Sequence, residues 1–277
     1  MPKSVSISKV DGKPGHVYYP LSLNEVPKPT PKPTELLIKV HAAALNHRDL
    51  FIRQHLYPGT AFGIPLLADG CGTVVGLGRD ADPRWKGKRV VLNPGLGWKD
   101  SLEGPEDKAG YKILGGTKTN PNGTLQEYLV IDQSEVEEAP AHLSSVEAAA
   151  IPLTGLTAWR AVMVKAGAHN LQPGKNVLIT GIGGGVALMA LEFARAAGAN
   201  VWVTSGSEDK IKKAIQLGAT GGVNYKEEGW DKKLLSLLPA DHKQLDAIID
   251  GAGSDVVEKG ARLLKVSSFP GPLIGCH

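Results

Sequence analysis

The stretch NVLITGIGGGVALMALEFARAAGANVWVTSGSEDK, residues 176–210, decides the fold of this chain. It opens with the apolar run Val177–Ile179, which is too short for a helix and lies between glycines, as a buried strand does. A glycine-rich turn follows, then apolar residues at helical spacing up to Gly198, and then a second apolar run, Val201–Thr204. A strand, a glycine turn, a helix and a second strand in this order are typical of the start of a dinucleotide-binding fold.

The glycine turn has the composition that a pyrophosphate site requires. The phosphates must lie against backbone N–H groups at a helix N-terminus, and a Cβ in the turn would hold them away. The small residues Gly181, Gly184 and Ala187 are three apart, one residue longer than a strict GxGxxG pattern. We predict that Gly181, Gly184, Gly185 and Val186 bind a cofactor. The alternative is a glycine-rich turn without a ligand, which is common in proteins.

The end of the second strand indicates which cofactor is bound. Sites that prefer NAD place an acidic residue about twenty residues past the glycines, on the ribose 2′-hydroxyl. Here the strand ends in small and hydroxyl residues, and the first carboxylate is Glu208, at the start of the next helix. We therefore expect NADPH rather than NADH. The candidate residues for the 2′-phosphate are Ser205, Ser207, Lys210 and Tyr225. A solvated helix lysine is the alternative for Lys210.

Composition limits the classes of protein to consider. The chain has 277 residues, 42% hydrophobic and 21% charged, as a soluble globular protein of two domains has. A net charge of +3 is too small to indicate nucleic acid or an anionic membrane as partner. Two cysteines, Cys71 and Cys276, exclude a disulfide framework and a cysteine zinc cluster. Without a secretory signal or a window of membrane-spanning length, the sequence predicts a cytoplasmic protein.

The pattern along the chain changes near Ser144. Before it, short strand-like segments alternate with Gly- and Pro-rich loops, the longest over residues 94–123. Ser144 and Glu147 have the spacing of a capping box, and beyond them strands alternate with helices. This alternation predicts a parallel sheet covered on both faces. We predict an α/β protein with a β-rich domain over residues 1–150 and a nucleotide-binding domain over residues 151–277.

Five segments together resemble a known family. In chain order they are LNHRDLFIRQHLYPG (residues 45–59), ADGCGTVVGLG, GTLQEYLVI, PLTGLTAW (residues 152–159) and GIGGGVA. They look like the medium-chain dehydrogenase/reductase superfamily, in its zinc-free, quinone-oxidoreductase-like branch. The resemblance implies a GroES-like catalytic domain, a doubly wound Rossmann domain, and a substrate bound in the cleft between them. It also implies a dimer formed through the last Rossmann strand.

The same resemblance assigns roles to individual residues. Asn46 and Tyr57 match positions that line the cleft near the nicotinamide, and Tyr57 would donate a hydrogen bond to the substrate oxygen. The alternative for Tyr57 is a packing aromatic before a Pro-Gly turn. Thr157 matches a threonine that contacts the nicotinamide, and its alternative is a helix hydroxyl bonded to its own backbone. Asp49 and Asp69 match positions that support the framework of the cleft.

The resemblance also bears on zinc. Zinc-dependent members hold a catalytic metal with Cys, His and Cys, and the matching positions here are Asn46, Ala68 and Leu153. Their structural zinc lobe carries four cysteines, whereas residues 93–123 contain none. A replacement site could be imagined among the residues His41, His47, His55 and Asp69. We expect no zinc, so the substrate should supply its own polarisation, as a small enone or quinone does.

The end of the sequence departs from the family pattern. After Lys265 the family continues with a Pro-Gly-Gly turn and further strands, whereas this chain reads VSSFPGPLIGCH. We hypothesise that this tail derives from retained intron, because Val-Ser is what a GTAAGT donor sequence encodes. A divergent, naturally short member is the alternative. We expect four Rossmann strands, the last being LDAIID (residues 245–250), with an exposed apolar edge unless the tail covers it.

Two functional classes follow from these expectations. One is an NADPH-dependent reductase of conjugated carbonyls or quinones. The other is a truncated, non-catalytic chain that at most binds nucleotide, because the far side of the sheet and the strand used for dimerisation would be missing. The sequence up to Lys265 favours the first class, and the tail favours the second.

Overall fold

The computed structural model describes residues 1–253, 255–265 and 273–275. The chain forms two compact units, and the division between them falls between Leu153 and Thr154. Of the tail that departs from the family pattern, residues 266–272, 276 and 277 lie outside the described residues.

The first unit is built mainly of β-strands. Its strands are β1 (Lys3–Ile7), β2 (Leu21–Glu25), β3 (Glu35–Ala44), β4 (Asp69–Leu77), β5 (Arg89–Leu92), β6 (Gly95–Leu96), β7 (Lys112–Ile113), β8 (Tyr128–Asp132) and β9 (Val136–Glu138). Its helices are α1 (His47–Arg53) and α2 (Ser145–Ala149). A third helix, α3 (Pro152–Trp159), spans the division and continues as a π-helical stretch over Arg160–Gly167.

The core of the first unit lies against a five-stranded antiparallel sheet. The strand order is β8-β3-β4-β5-β9, and β3 carries two register shifts against β4. Alternate residues of β5 and β8, such as Val90, Leu92 and Leu129, are buried, as period-two patterning requires. The predicted capping box of α2 is confirmed, because Ser144 N donates to Glu147 Oε2 at 2.8 Å and Ser144 Oγ accepts from Glu147 N at 3.3 Å.

The second unit alternates strands and helices. The strands are β10 (Asn176–Ile179), β11 (Asn200–Ser205), β12 (Gly221–Asn224), β13 (Ala247–Asp250) and β14 (Leu273–Gly275). The helices are α4 (Gly185–Ala196), α5 (Glu208–Gln216), α6 (Trp230–Leu237) and α7 (Val256–Leu263). Every residue of β10 and β13 is buried, as in a parallel sheet covered on both faces. The predicted α/β class, with a β-rich unit and a doubly wound parallel sheet, is confirmed.

The sheet of the second unit corrects one expectation. Its order is β12-β11-β10-β13-β14, so β13 is not the edge and the described sheet has five strands rather than four. β14 pairs with β13 in parallel, with Ile249 opposite Ile274. The expected count of four strands was wrong, whereas the condition attached to the exposed edge, cover by the tail, is met by β14. Such a strand can satisfy the unpaired N–H and C=O groups that a buried strand would otherwise present at its edge.

A buried carboxylate lies where β13 begins. The Asp246 side chain is fully buried and accepts hydrogen bonds from Lys265 Nζ at 2.7 Å and from Asn176 N at 2.9 Å. Lys175 and His242 lie within 3.5 Å and 3.3 Å of the same carboxylate. Burial alone would raise the pKa of Asp246, but the hydrogen bonds and the positive charges of Lys265 and His242 outweigh it and lower the pKa. The ionised form of Asp246 therefore stabilises the second unit.

Replacing Asp246 by asparagine should destabilise the protein by on the order of 3 kcal/mol, the cost of removing one partner of a buried ion pair. Because the folded-state pKa is lowered, the difference from wild type should be full above about pH 4 and shrink as the pH falls further. Denaturant unfolding at several pH values measures it. Asp209→Asn is the control, since the Asp209 side chain is 94% exposed beside Lys212. Equal stability of the two variants would contradict the stabilising role of the ionised Asp246 carboxylate.

Candidate functional site

The predicted glycine turn joins the end of β10 to the start of α4. Gly181 and Gly183 have φ angles of +66° and +111°, in the left-handed region that favours glycine. Gly184 precedes α4 and offers no side-chain cap, so the first-turn N–H groups of α4 have no capping partner from that residue. The helix N-terminus in a turn of this shape can receive an anion.

Close contacts explain why the turn is made of glycine. Ile182 N donates to Thr204 O at 2.8 Å, which holds the turn against the end of β11. A Cβ added at Gly183 would lie 2.7 Å from Lys210 Cδ, and one at Gly185 would lie 2.8 Å from Thr154 Cγ2. Both distances are too short for real atoms. A side chain at Gly185 would therefore meet Thr154, and one at Gly183 would displace the Lys210 side chain from the turn.

The residues predicted for the 2′-phosphate lie together at the end of β11. Lys210 extends over the glycine turn, since a Cβ at Gly183 would lie 3.3 Å from its Nζ. Ser207 N donates to Ser205 Oγ at 3.3 Å, and α5 starts directly after Ser207. The described strand ends without a carboxylate, as the sequence predicted.

Lys226, which the sequence interpretation missed, lies beside Gly206 at the end of β11. A Cβ at Gly206 would lie 2.9 Å from Tyr225 Oη and 2.7 Å from Lys226 Cε. Tyr225 is 41% exposed, so its hydroxyl end lies at the surface of the unit. Lys226 thus joins Lys210 as a second cation beside the end of β11. Its position next to Tyr225 in the sequence was the signal that could have identified it.

The remaining predicted cofactor residues lie near the same turn. Gly184 N donates to Gly181 O at 3.3 Å, which closes the turn. Val186 is in the first turn of α4, and its side chain is partly buried against the core of the second unit. Thr157 is one turn along α3 from Thr154, which contacts Gly185. Residues three apart share a helix face, so Thr157 lies on the face that meets the glycine turn.

A buried polar cluster lies in the first unit, around the start of α1. Asn46 N donates to Asp49 Oδ2 at 2.8 Å, so the carboxylate caps its own helix. Arg48 and Asp49 are 6% and 4% exposed, and Arg48 Nη1 lies 3.4 Å from Asp49 Oδ1. The Arg48 guanidinium carbon lies 4.8 Å from the centre of the Tyr57 ring, within the range of a cation–π contact. The structure thus brings both predicted catalytic residues, Asn46 and Tyr57, to one cluster.

Asp69 is the centre of this cluster. It is 1% exposed, and its two oxygens accept from Asn46 Nδ2 at 2.9 Å and from Leu153 N at 2.8 Å. Burial raises the pKa of Asp69 to about 6, although these two hydrogen bonds oppose the shift. Asn46 and Leu153, two of the three positions that match zinc ligands in zinc-dependent members, are therefore joined by this carboxylate.

The donor set at these positions does not fit zinc. Ala68 is fully buried and has no donor atom, Leu153 offers only its backbone N–H, and the Asn46 amide nitrogen is already bonded to Asp69. The residues His41, His47, His55 and Asp69 do not form a replacement site. Within residues 1–253, 255–265 and 273–275, no three His, Cys, Asp or Glu side chains cluster in a way that could hold a metal ion.

The Asp69 carboxyl should titrate with a midpoint near 6, well above its ordinary value of about 4. Since its folded-state pKa is raised, the stability that Asp69 contributes is full below about pH 4 and is lost as the pH rises through the folded value. NMR of the carboxyl carbons over pH measures the midpoint directly, and Asp69→Asn identifies the resonance. Asp132 is the internal control, because its pKa is lowered. A titration midpoint for Asp69 at or below that of Asp132 would contradict the raised pKa of Asp69.

Two family models match the chain. The Alcohol dehydrogenase GroES-like domain matches residues 32–141, and the Zinc-binding dehydrogenase model matches residues 185–267. The first falls in the β-rich unit and the second includes α4 to α7. In the described part of the chain, no helix has the length and apolar character that a membrane crossing requires.

Several curated proteins are similar to this chain. The Zinc-type alcohol dehydrogenase-like protein YogA of Leptosphaeria maculans is 50% identical over 283 positions, which cover all of this chain and 77% of that protein. A zinc-type alcohol dehydrogenase-like protein of Schizosaccharomyces pombe is 41% identical over 73% of this chain and 57% of its own length. The human mitochondrial NAD(P)H oxidoreductase RTN4IP1 is 32% identical over 80% of this chain and 52% of its own length. The chain thus spans about half to three quarters of these relatives.

The solved structures similar to this chain are dehydrogenases and oxidoreductases, as its sequence relatives are. A crystal structure of an NAD-dependent alcohol dehydrogenase superposes with a TM-score of 0.80 at 35% identity, over 95% of this chain and 74% of that one. The quinone oxidoreductase of Pseudomonas syringae superposes with a TM-score of 0.73 at 26% identity, over 95% and 70%. One relative is half identical over three quarters of its own length, and both domain models and the sheet order match. The chain therefore belongs to the medium-chain dehydrogenase/reductase superfamily.

Proposed function

We propose that this chain is an NADPH-dependent oxidoreductase that transfers hydride to a conjugated carbonyl or a quinone without zinc. The observation that carries the proposal is the pair of hydrogen bonds from Asn46 and Leu153 to the buried Asp69 carboxylate. None of the positions that match zinc ligands offers a thiolate or an imidazole. A cytoplasmic location, expected from the sequence, is part of the same proposal.

Chemistry without a metal requires hydrogen-bond donors at the substrate oxygen. The nicotinamide supplies the hydride when the cofactor is bound. Tyr57 is the proposed donor, and its ring is fixed by the Arg48 guanidinium on one face and by packing against the apolar cluster that includes Ile52. The Asn46 side chain is held by Asp69, so it can position a polar group of the substrate or cofactor without reorganising. Small enones and quinones are polarised enough to react in such a site.

The preference for NADPH rests on the end of β11. Lys210 and Lys226 supply two cations beside Ser205 and Ser207, and the described strand ends without an acidic residue. Hydrogen bonds between charged groups and phosphate are about twice as strong as neutral ones. An acidic side chain, which would bond a ribose hydroxyl and repel a phosphate, is not placed there. We therefore assign the 2′-phosphate to Ser205, Ser207, Lys210, Tyr225 and Lys226.

Purified protein should oxidise NADPH in the presence of menadione or methyl vinyl ketone, and a chelator should leave the rate unchanged. Elemental analysis should find less than stoichiometric zinc. Stoichiometric zinc together with chelator-sensitive turnover would overturn the zinc-independent mechanism. Binding of NADPH without turnover of either substrate would favour the alternative, a chain that only binds nucleotide.

Alanine at Lys210 or at Lys226 should weaken NADPH binding by about tenfold to a hundredfold and leave NADH nearly unchanged, because each lysine donates a charged hydrogen bond to the phosphate. Isothermal titration with both cofactors measures the difference. Lys212→Ala is the matched control, because Lys212 is on the same helix, is 72% exposed and pairs with Asp209. Equal losses for NADPH and NADH would show that the lysines do not read the 2′-phosphate.

A further inference from the structure

The carboxyl ends of β10 and β13 are joined by a buried pair of side chains. Thr180 directly follows β10, Asp250 is the last residue of β13, and each is 1% exposed. Thr180 Oγ1 donates to Asp250 Oδ1 at 2.5 Å and accepts from Gly251 N at 3.1 Å. In addition, Thr180 N donates to Ile249 O at 3.0 Å. The two strand ends are therefore held together by side-chain as well as backbone hydrogen bonds.

Asp250 also shapes the segment that follows β13, which we call the 251–253 loop after its residue numbers. Its Oδ1 atom accepts from Ala252 N and from Gly253 N, both at 3.1 Å. An aspartate that accepts from backbone N–H groups shortly after it closes a turn. Ala252 lies against the glycine turn, because a Cβ added at Gly181 would lie 3.1 Å from Ala252 Cβ. The 251–253 loop is thus held beside the glycine turn.

The strand order places both segments at the reversal point of the sheet. The chain runs from β10 to β11 on one side, and later returns to β13 on the other side of β10. In open parallel sheets a ligand binds in the crevice outside the carboxyl ends of the strands, at the point where the order reverses. The glycine turn after β10 and the 251–253 loop after β13 border this crevice. A dinucleotide on the glycine turn would therefore pass beside the 251–253 loop.

Gly251 is a glycine that neither its backbone nor its neighbours require. Its φ angle is outside the left-handed region, unlike that of Gly253, which is +70°. A Cβ added at Gly251 would have no heavy atom of the described residues within 4 Å. Alanine at such a position would restrict the unfolded chain and stabilise the protein. A ligand that approaches the Gly251 backbone closely accounts for the absence of a side chain there.

We propose that Thr180 and Asp250 are positioning residues, which hold the 251–253 loop so that the Gly251 backbone contacts a bound dinucleotide. The inference rests on the proposed function and deepens it. Because the Gly251 N–H already donates to Thr180, the group offered to the ligand is the Gly251 carbonyl, an acceptor for a ribose hydroxyl. The contact is to the part of the cofactor that NADPH and NADH share, since the 2′-phosphate is assigned to the end of β11.

Gly251→Ala tests the contact directly. The dissociation constants of NADPH and of NADH should both rise by about fivefold to tenfold, as the loss of one hydrogen bond to the ligand would produce. The midpoint of thermal unfolding without cofactor should be unchanged or higher, because the added methyl group meets no atom of the protein. Gly104→Ala is the matched control, since Gly104 has the same two properties in the first unit. It should change neither dissociation constant.

Thr180→Val tests the positioning residues, because it keeps the shape of the side chain and removes the hydroxyl between Asp250 and Gly251. Both dissociation constants should rise by about tenfold, whereas Thr180→Ser, which keeps the hydroxyl, should leave them within about twofold of wild type. Asp246→Asn is the control for lost stability. Asp246 is equally buried at the other end of β13, so its replacement should destabilise the fold without changing either dissociation constant.

Isothermal titration of these variants with NADPH and with NADH decides the outcome. Wild-type affinity in both Gly251→Ala and Thr180→Val would overturn the proposal, and so would a loss confined to NADPH or an equal loss in Asp246→Asn. Should Thr180→Val fail to fold, Gly251→Ala and Thr180→Ser carry the test. If the losses are as expected but the wild-type protein reduces neither menadione nor methyl vinyl ketone, the proposed function fails and the positioning role stands. If the wild-type protein binds neither cofactor, both proposals fail.

Discussion

The carboxylate of Asp69 constrains the polar cluster of the first unit more than any other group in it. Its two oxygens accept from residues 23 and 84 positions away in the chain, the Asn46 amide and the Leu153 N–H. Both donors are needed, because a buried carboxylate without partners would cost several kcal/mol. Asn46 and Leu153, two of the three positions that match zinc ligands in zinc-dependent members, are thus held together by hydrogen bonds to one buried acid.

The sequence predicted the glycine turn, the helix after it and the carboxylate-free end of β11 because the information for these features is local. The turn from Gly181 to Gly185, the helix behind it and the hydroxyl-rich end of β11 all fall within about 30 consecutive residues. Lys226 was missed because it reaches Gly206 only through the pairing of β11 with β12.

In the parallel sheet, too, the strands could be predicted from local sequence, whereas the pairing of distant residues could not. The alternation of short strand segments with helices predicted β10, β11, β12 and β13 and the class of fold. The pairing of β14 with β13 could not be predicted, because the tail after Lys265 has no family pattern to follow and its apolar run is short. The partners of Asp246 lie as far away as Lys175 and Asn176, so only the folded sheet brings them together.

Within residues 93–123, the Glu106 carboxylate accepts hydrogen bonds from the backbone N–H groups of Lys99, Asp100 and Ser101. This determines which reagents can disrupt the folded segment. A cluster of thiolates around zinc is lost to oxidants, which convert the thiolate to higher oxidation states, and to chelators, which remove the metal. A carboxylate on backbone N–H groups contains nothing that either reagent attacks. Residues 93–123 contain no cysteine, so an oxidant finds no thiol there to attack. Peroxide at concentrations that oxidise thiols should therefore leave the bonds between Glu106 and the backbone intact.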